Sequence, residues 1–341
     1  MNIKDTNGRI MLAHGSGGLF MESLIKDVFL RYLDSPELAC LDDAAELTVP
    51  HNRLAFSTDT FVVKPVFFPG GDIGSLAVSG TVNDVLMKGA QPLYLSLGFI
   101  LEEGFLIYDL ERILKSIQRS CAEAGVKVVT GDTKVVGKGD LDGICINTSG
   151  IGSILPGIHI GGHNARTGDA VIVSGDIGAH GIAVMVERNG LTLKGDIQSD
   201  AAPLTNSVLP LLERFGDAVH VLRDPTRGGI AATLNEIASS SGVSIVLDEP
   251  SVPVSDWVLA VCDLLGFDPL YLPCEGRFLA FVDASVEDEV LSFLKSRENC
   301  SAASKIGNVE RASSGEVLLR TVAGGRRIID MPSGELLPRI C

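Results

Sequence analysis

GGHNARTGDAVIVS, residues 161–174, is the stretch on which the organisation of the chain turns. His163, Asn164, Arg166, Thr167 and Asp169 form a polar join set between glycines, and a fresh apolar run begins at Ala170. A Gly-rich polar cluster between two patterned segments is a loop, and a strand that restarts after it opens a new unit. The domain boundary is therefore placed here. Residues 1–160 form one domain, 161–330 a second α+β domain, and 331–341 a flexible tail. At 341 residues the chain is long enough to build two cores of ordinary size.

Outward toward the N-terminus, apolar residues at helical spacing predict amphipathic helices over 18–33 (Leu19, Phe20, Leu24, Ile25, Val28, Phe29, Tyr32) and 107–124 (Leu110, Ile113, Leu114, Ile117, Cys121). Strands are expected at 54–57, 93–100, 126–130 and 144–154. Outward toward the C-terminus, strands are expected at 170–174, 243–247, 277–282, 305–309 and 317–320. Helices are expected at 182–188, 203–215, 229–241 and 286–297. The end, MPSGELLPRIC from Met331, carries Pro332, Gly334 and Pro338, which prevent regular structure, and it closes on a thiol, Cys341.

Composition narrows the function classes. A net charge of -15, from 28 Lys and Arg against 43 Asp and Glu, argues against a large nucleic-acid footprint, because phosphate backbones are held by clustered cations. An acidic protein still binds nucleotide where Mg²⁺ and local amides offset phosphate charge. No secretory signal opens the chain, and the uncharged stretch 143–165 is broken by too many Gly and Pro to be a membrane helix. The seven cysteines are an odd count with no CxxC pair, and the six histidines show no ligand spacing, so neither a disulfide framework nor a zinc site is indicated. Together these features predict a soluble, cytoplasmic protein. Six cysteines read as small core residues and Cys341 stands apart.

Several motifs carry chemistry. HGSGG (His14 to Gly18) leads into a helix and reads equally as a turn or as an anion-binding loop. Short acids recur at what read as loops or strand ends: Asp42-Asp43-Ala-Ala, Ser57-Thr58-Asp59-Thr60, Asn83-Asp84 and Gly131-Asp132-Thr133. Asp caps helices and turns, which accounts for single cases, but four such loops suit a nucleotide-bound Mg²⁺ needing a few carboxylate oxygens. Lys134 follows an apolar strand and is either a phosphate ligand or a solvated cation. Arg223-Asp224-Pro225-Thr226-Arg227-Gly228-Gly229 gathers two guanidiniums, a carboxylate and a hydroxyl at a helix start, either an anion site or a capped turn. Glu275, in Pro273-Cys274-Glu275-Gly276-Arg277, is a turn residue or, if partly buried beside a reacting group, a general base.

HGSGG, DDAA, STDT, NDVLMKGA, VTGDTK, RDPTRGG and the terminal PRIC, in that order along nearly the whole chain, resemble the HypE family of hydrogenase maturation proteins. More broadly the chain is similar to the ATP-binding superfamily of aminoimidazole ribonucleotide synthetase, selenophosphate synthetase and thiamine-monophosphate kinase. The resemblance implies a two-domain α+β fold that dimerises through its N-terminal domains, with ATP bound around that interface. It implies an ATP-dependent carbamoyl dehydratase: a carbamoyltransferase, HypF, loads the terminal cysteine, dehydration leaves a thiocyanate, and cyanide passes to iron on a HypC–HypD complex. Carried onto this chain, it assigns Cys341 as carrier, Lys134 to the transferred phosphate and Glu275 as base. It assigns Asp43, Asp59, Asp84 and Asp224 to Mg²⁺-ATP, with Asp42 and Asp132 beside them. Gly17, Gly18, Asn83, Thr226 and Arg227 complete the nucleotide site.

Many members of that family carry Asn where this chain has Cys274, so no role for Cys274 is implied. Two other functions compete: a relative that phosphorylates a free small molecule, as selenophosphate synthetase or thiamine-phosphate kinase does, and a non-enzymatic scaffold holding iron or a partner protein through Cys341. The first needs no terminal cysteine. The second needs more than one thiol to hold iron and has no use for the acidic motifs.

Overall fold

A computed structural model describes residues 8–15, 18–33, 35–39, 49–50, 53–191, 197–311, 315–332, 337 and 340–341. The first half runs through α1 (Gly18–Leu24), α2 (Leu30–Tyr32), α3 (Pro36–Ala39), β1 (Leu54–Phe61), β2 (Phe67–Phe68), β3 (Gly71–Asp72), α4 (Ile73–Met87), β4 (Ala90–Glu102), α5 (Ile107–Ala124), β5 (Lys127–Val136) and β6 (Ile144–Ile154). Its sheet has the order β1-β6-β4-β5, with β5 parallel to β4 and the other pairs antiparallel. A π-helical turn, Ile25–Phe29, makes α1 and α2 one continuous rod, in agreement with the spacing over 18–33.

The helix α5 behaves as its sequence says: Leu110, Ile113, Leu114, Ile117 and Cys121 are buried, and Gly125, at φ 71°, ends it in the left-handed conformation. By contrast α4 is a correction to the sequence reading, which placed Asn83-Asp84 in a loop. Fourteen of its fifteen residues are buried, so no apolar stripe betrays it. Its start is fixed by Asp72, whose carboxylate accepts from Gly74 N (2.7 Å) and Ser75 N (3.1 Å). It lies directly on the sheet because β6 presents glycines beneath it: a Cβ at Gly152 would stand 2.3 Å from Val85 Cγ1, and one at Gly150 2.8 Å from Thr81 Cγ2. A second correction concerns β5, which continues through Val136, so Asp132 and Lys134 sit within a strand and not after one.

The second half comprises β7 (Ala170–Val173), α6 (Ala179–Arg188), α7 (Thr205–Phe215), β8 (Val219–Arg223), α8 (Gly229–Ser241), β9 (Val243–Asp248), α9 (Asp256–Leu265), β10 (Leu279–Val282), α10 (Glu287–Lys295), β11 (Ser304–Arg311), β12 (Val317–Arg320) and β13 (Arg326–Ile328). The sheet order is β13-β12-β9-β11-β7-β10-β8. One face of it, with Val171, Val173, Val221 and Phe281, packs with Ile230, Leu234 and Ile237 of α8; the other, with Ile172, Leu222 and Ala280, joins the core of the first half. Helix α9 is an element the sequence reading lacks. The two larger sheets occupy residues 54–154 and 170–328, with the small antiparallel pair β2-β3 within the first span, and α7 lies against α4 where they meet. Among the described residues no helix is long and apolar enough to cross a membrane.

Candidate active site

Four of the acids singled out by sequence, Asp59, Asp84, Asp224 and Glu275, converge where the two halves meet. Asp59 stands near the end of β1, and its Oδ1 accepts from Thr60 N at 3.0 Å. Asp84, in the last turn of α4, accepts the Ser57 hydroxyl at 2.6 Å, which ties helix to strand. Asp224 follows β8 and is buried. Glu275 is buried in the loop before β10; its N–H donates to Asp200 Oδ1 (3.2 Å) and its carbonyl accepts from Asn83 Nδ2 (3.3 Å). Cys274 N donates to Pro225 O (3.0 Å), so the loops carrying Asp224 and Glu275 run side by side.

Electrostatics shows how closely these groups crowd. Burial and then the Asp84 carboxylate push Asp224 up to about 7. Glu275 lies well above the carboxylate range, through burial first and then Asp224, Asp200, Asp59 and Asp84. Burial also raises Asp59 and Asp84, with Arg227 opposing both and Arg223 opposing at Asp84. Glu275 Oε1 is buried without a hydrogen-bond partner. Such a site is short of positive charge and has acceptor oxygens to spare, which fits a hard divalent cation. Among the described residues, no three carboxylate, imidazole or thiol groups converge closely enough to hold a metal alone. The donor set therefore fits a cation that also takes phosphate and water oxygens, as Mg²⁺ does with a nucleotide.

The chain end reaches this cluster along a built track. Ile329 O accepts from Asn235 Nδ2 (2.9 Å) and Asp330 O from the Tyr271 hydroxyl (3.1 Å). Pro332 passes over Gly228 and Leu337 over Gly181, where a Cβ would meet their side chains at 3.1 and 3.4 Å. Leu337 and Ile340 are buried, and His180 Nε2 lies 2.8 Å from Ile340 O. The Cys341 thiol then meets the Glu275 side chain. Burial, followed by Glu275, raises the thiol far above its ordinary range, against the pull of Arg227. The end of the chain thus lies inside the site.

Other expected residues are placed differently. Asp132 and Lys134 are exposed on β5, the edge of the sheet opposite β1, about three strand spacings or 14 Å away, so one chain does not bring them to the cluster. Asn83 spends its amide on structure: Nδ2 donates to Ala202 O (3.1 Å) and Glu275 O, and Oδ1 accepts from Leu204 N (2.9 Å). Thr226 is half-buried and Arg227 exposed at the turn before α8, where Gly228 and Gly229 adopt φ of 77° and 60°. A Cβ on Gly229 would meet Leu270 O at 2.6 Å. Gly18 opens α1; Gly17, Asp42, Asp43, Pro338 and Arg339 lie outside the described residues. Sequence reasoning missed Asp200, His180 and Ser199, which belong to no motif.

The fold and this site define an aminoimidazole ribonucleotide synthetase-like protein: residues 41–154 match the family model AIR synthase related protein, N-terminal domain, and residues 166–320 its C-terminal domain. Carbamoyl dehydratase HypE of Cupriavidus necator is 48% identical over 342 residues, covering 100% of this chain and 97% of that protein. A crystal structure of hydrogenase maturation protein HypE in complex with ATP superposes with a TM-score of 0.94 at 46% identity, covering 97% of this chain and 99% of that one. HypE in a HypE–HypF complex superposes with a TM-score of 0.80 at 45% identity, covering 91% and 100%. The chain belongs to the HypE family of carbamoyl dehydratases.

Proposed function

We infer that this chain is an ATP-dependent carbamoyl dehydratase that converts a carbamoyl group on its own Cys341 into a cyano group for the iron of a [NiFe]-hydrogenase. The observation that carries the reading is the terminal thiol lying against the buried Glu275 within a cluster of Asp59, Asp84 and Asp224. An enzyme acting on a free small molecule has no use for its own chain end in that place.

The balance is –S–C(=O)–NH₂ plus ATP to –S–C≡N plus ADP and phosphate. The amide oxygen attacks the γ-phosphorus and the bond to ADP breaks. The nitrogen then gives up its two protons as the phosphate leaves with the former amide oxygen. Phosphorylation is needed because an amide oxygen is a poor leaving group. Glu275 is assigned as proton acceptor: a carboxylate whose proton affinity is raised by burial and acidic neighbours takes an amide proton more readily than a solvated one. Asp59, Asp84 and Asp224, with Asp43, would hold Mg²⁺ on the nucleotide, and that ion would neutralise phosphate charge in transfer. Arg227, whose positive charge acts on Asp59, Asp84 and Cys341, is suited to the phosphoryl oxygens.

Lys134 is assigned to the same phosphate in a homodimer, supplied by the second copy across the open face of the first sheet, where Leu54, Phe56 and Ile100 are exposed. HypF is proposed as the donor of the carbamoyl group and a HypC–HypD complex as the acceptor of cyanide. The test is the intact mass of the protein after incubation with HypF, carbamoyl phosphate and ATP. Wild type is expected to gain a carbamoyl group and then lose water, and Cys341→Ala to do neither. Identical behaviour of the two would remove Cys341 as the carrier.

A further inference from the structure

We propose that His180 is the positioning residue that latches the terminal segment in the site, by donating from Nε2 to the carbonyl of Ile340, one residue before the carrier thiol. This rests on Cys341 being the carrier. His180 is fully buried in the first turn of α6, with Nε2 2.8 Å from Ile340 O and Nδ1 2.9 Å from Ser199 Oγ. A carbonyl only accepts, so the proton sits on Nε2 and the bare Nδ1 accepts from the Ser199 hydroxyl. Ser199 Oγ in turn accepts from Ala201 N at 3.0 Å. Three bonds in series therefore fix the tautomer and aim the donor. The edge-on ring of Phe68, with centroids 5.4 Å apart, holds the imidazole in plane.

The anchor is shared with the proposed base. Asp200, next to Ser199, accepts the Glu275 N–H, and Ser199 N is itself pinned to Pro69 O at 2.8 Å. Residues 199–201 thus hold the tail through His180 and Glu275 through Asp200. Burial of Leu337 and Ile340 sets how deeply the tail lies, but apolar contact is non-directional and does not set the register of the last residue. A backbone hydrogen bond at residue 340 does. One such bond is worth about 1 kcal/mol net, which biases the tail inward roughly three- to tenfold without preventing release for loading.

The test is the rate at which iodoacetamide alkylates Cys341 in the unliganded protein, resolved by peptide mass spectrometry. The buried Cys121, Cys145, Cys262, Cys274 and Cys300 serve as internal controls. His180→Ala is expected to raise Cys341 labelling about three- to tenfold with the controls unchanged, and His180→Gln, which keeps a terminal N–H, to bring it back toward wild type. Ser199→Ala, a milder change, is expected to raise labelling in the same direction. In preloaded protein, His180→Ala should lower the dehydration rate by a similar factor while leaving the KM for ATP unchanged. Labelling at the wild-type rate in folded His180→Ala or, should that variant not fold, in Ser199→Ala, overturns the latch, as does a parallel rise at all the cysteines. Labelling needs neither ATP nor a carbamoyl group, so a changed rate in a protein that never dehydrates its tail would sink the functional reading and leave the latch standing.

Discussion

Glu275 is held by its backbone, through Asp200 at its N–H and Asn83 at its carbonyl, while Oε1 stays unpartnered. A carboxyl so placed is free at the one point where a proton has to arrive. Glu275→Gln keeps the shape and the backbone bonds but has no basic oxygen to offer. It is expected to accept the carbamoyl group at the wild-type rate and to dehydrate it at least about 100-fold more slowly, measured as accumulation of the carbamoylated mass. Equal dehydration rates would assign the proton to another group. The acids of the cluster were legible in sequence because each sits in a recognisable motif: Asp59 and Asp84 as short acids in polar stretches, Asp224 between two arginines at a helix start, and Glu275 in a turn before an apolar strand. Asp200, Ser199 and His180 were not: their roles come from the path of residues 197–202 between the halves, and no spacing records a path. Lys134 shows the converse, a residue legible as a motif whose chain leaves it on the far edge of the sheet.

At the scale of elements, α4 is the piece that builds the site and the one the sequence hid. It carries Asn83 and Asp84 and is wrapped by β1, α5, α7 and the first sheet, so its apolar residues run all round it and lack helical periodicity. Helix α5 and strand β6, each buried on one face, were readable for the opposite reason. The close seating of α4 on β6 rests on glycine, and Gly152→Ala would drive a methyl to 2.3 Å from Val85 Cγ1 and 2.8 Å from Gln91 O. A helix pinned at its start by Asp72 and at its end by Asp84 cannot simply lift away. The substitution is expected to cost about 1–3 kcal/mol in urea unfolding and to lower ATP affinity as Asp84 shifts. An unchanged midpoint would mean that the helix is less tightly seated.

Across the whole molecule, the acid cluster joins the two halves at a price in repulsion, since Asp59 and Asp84 come from one and Asp224 and Glu275 from the other. The sign of that repulsion against pH follows from Asp224. Its carboxyl is pushed up to about 7 in the folded chain by burial and Asp84, from an ordinary 3.8. Between those values the folded chain holds a proton that the unfolded chain has lost, so this stabilising contribution is fully present below the unfolded value and disappears as pH rises through the folded one. Glu275, raised as well, acts in the same direction. His180, lowered by burial, acts oppositely, but its window lies below the ordinary imidazole value of 6.5. From about pH 6.5 to 8 the acids therefore govern. In magnesium-free buffer the wild type is expected to lose stability over that interval, with a slope for the Asp224 proton that stays below about 1.4 kcal/mol per pH unit and fades above pH 7, and Asp224→Asn to lessen it. Mg²⁺-ATP, which favours ionised carboxylates, should raise the melting temperature of wild type more at pH 8 than at pH 6.5, and should raise that of Asp224→Asn far less at either. Thermal melts at the two pH values, with and without EDTA, decide the matter. If wild type melts at one temperature at both pH values in EDTA, or the variant keeps the slope, the junction is not under charge strain and the cation is not what relieves it.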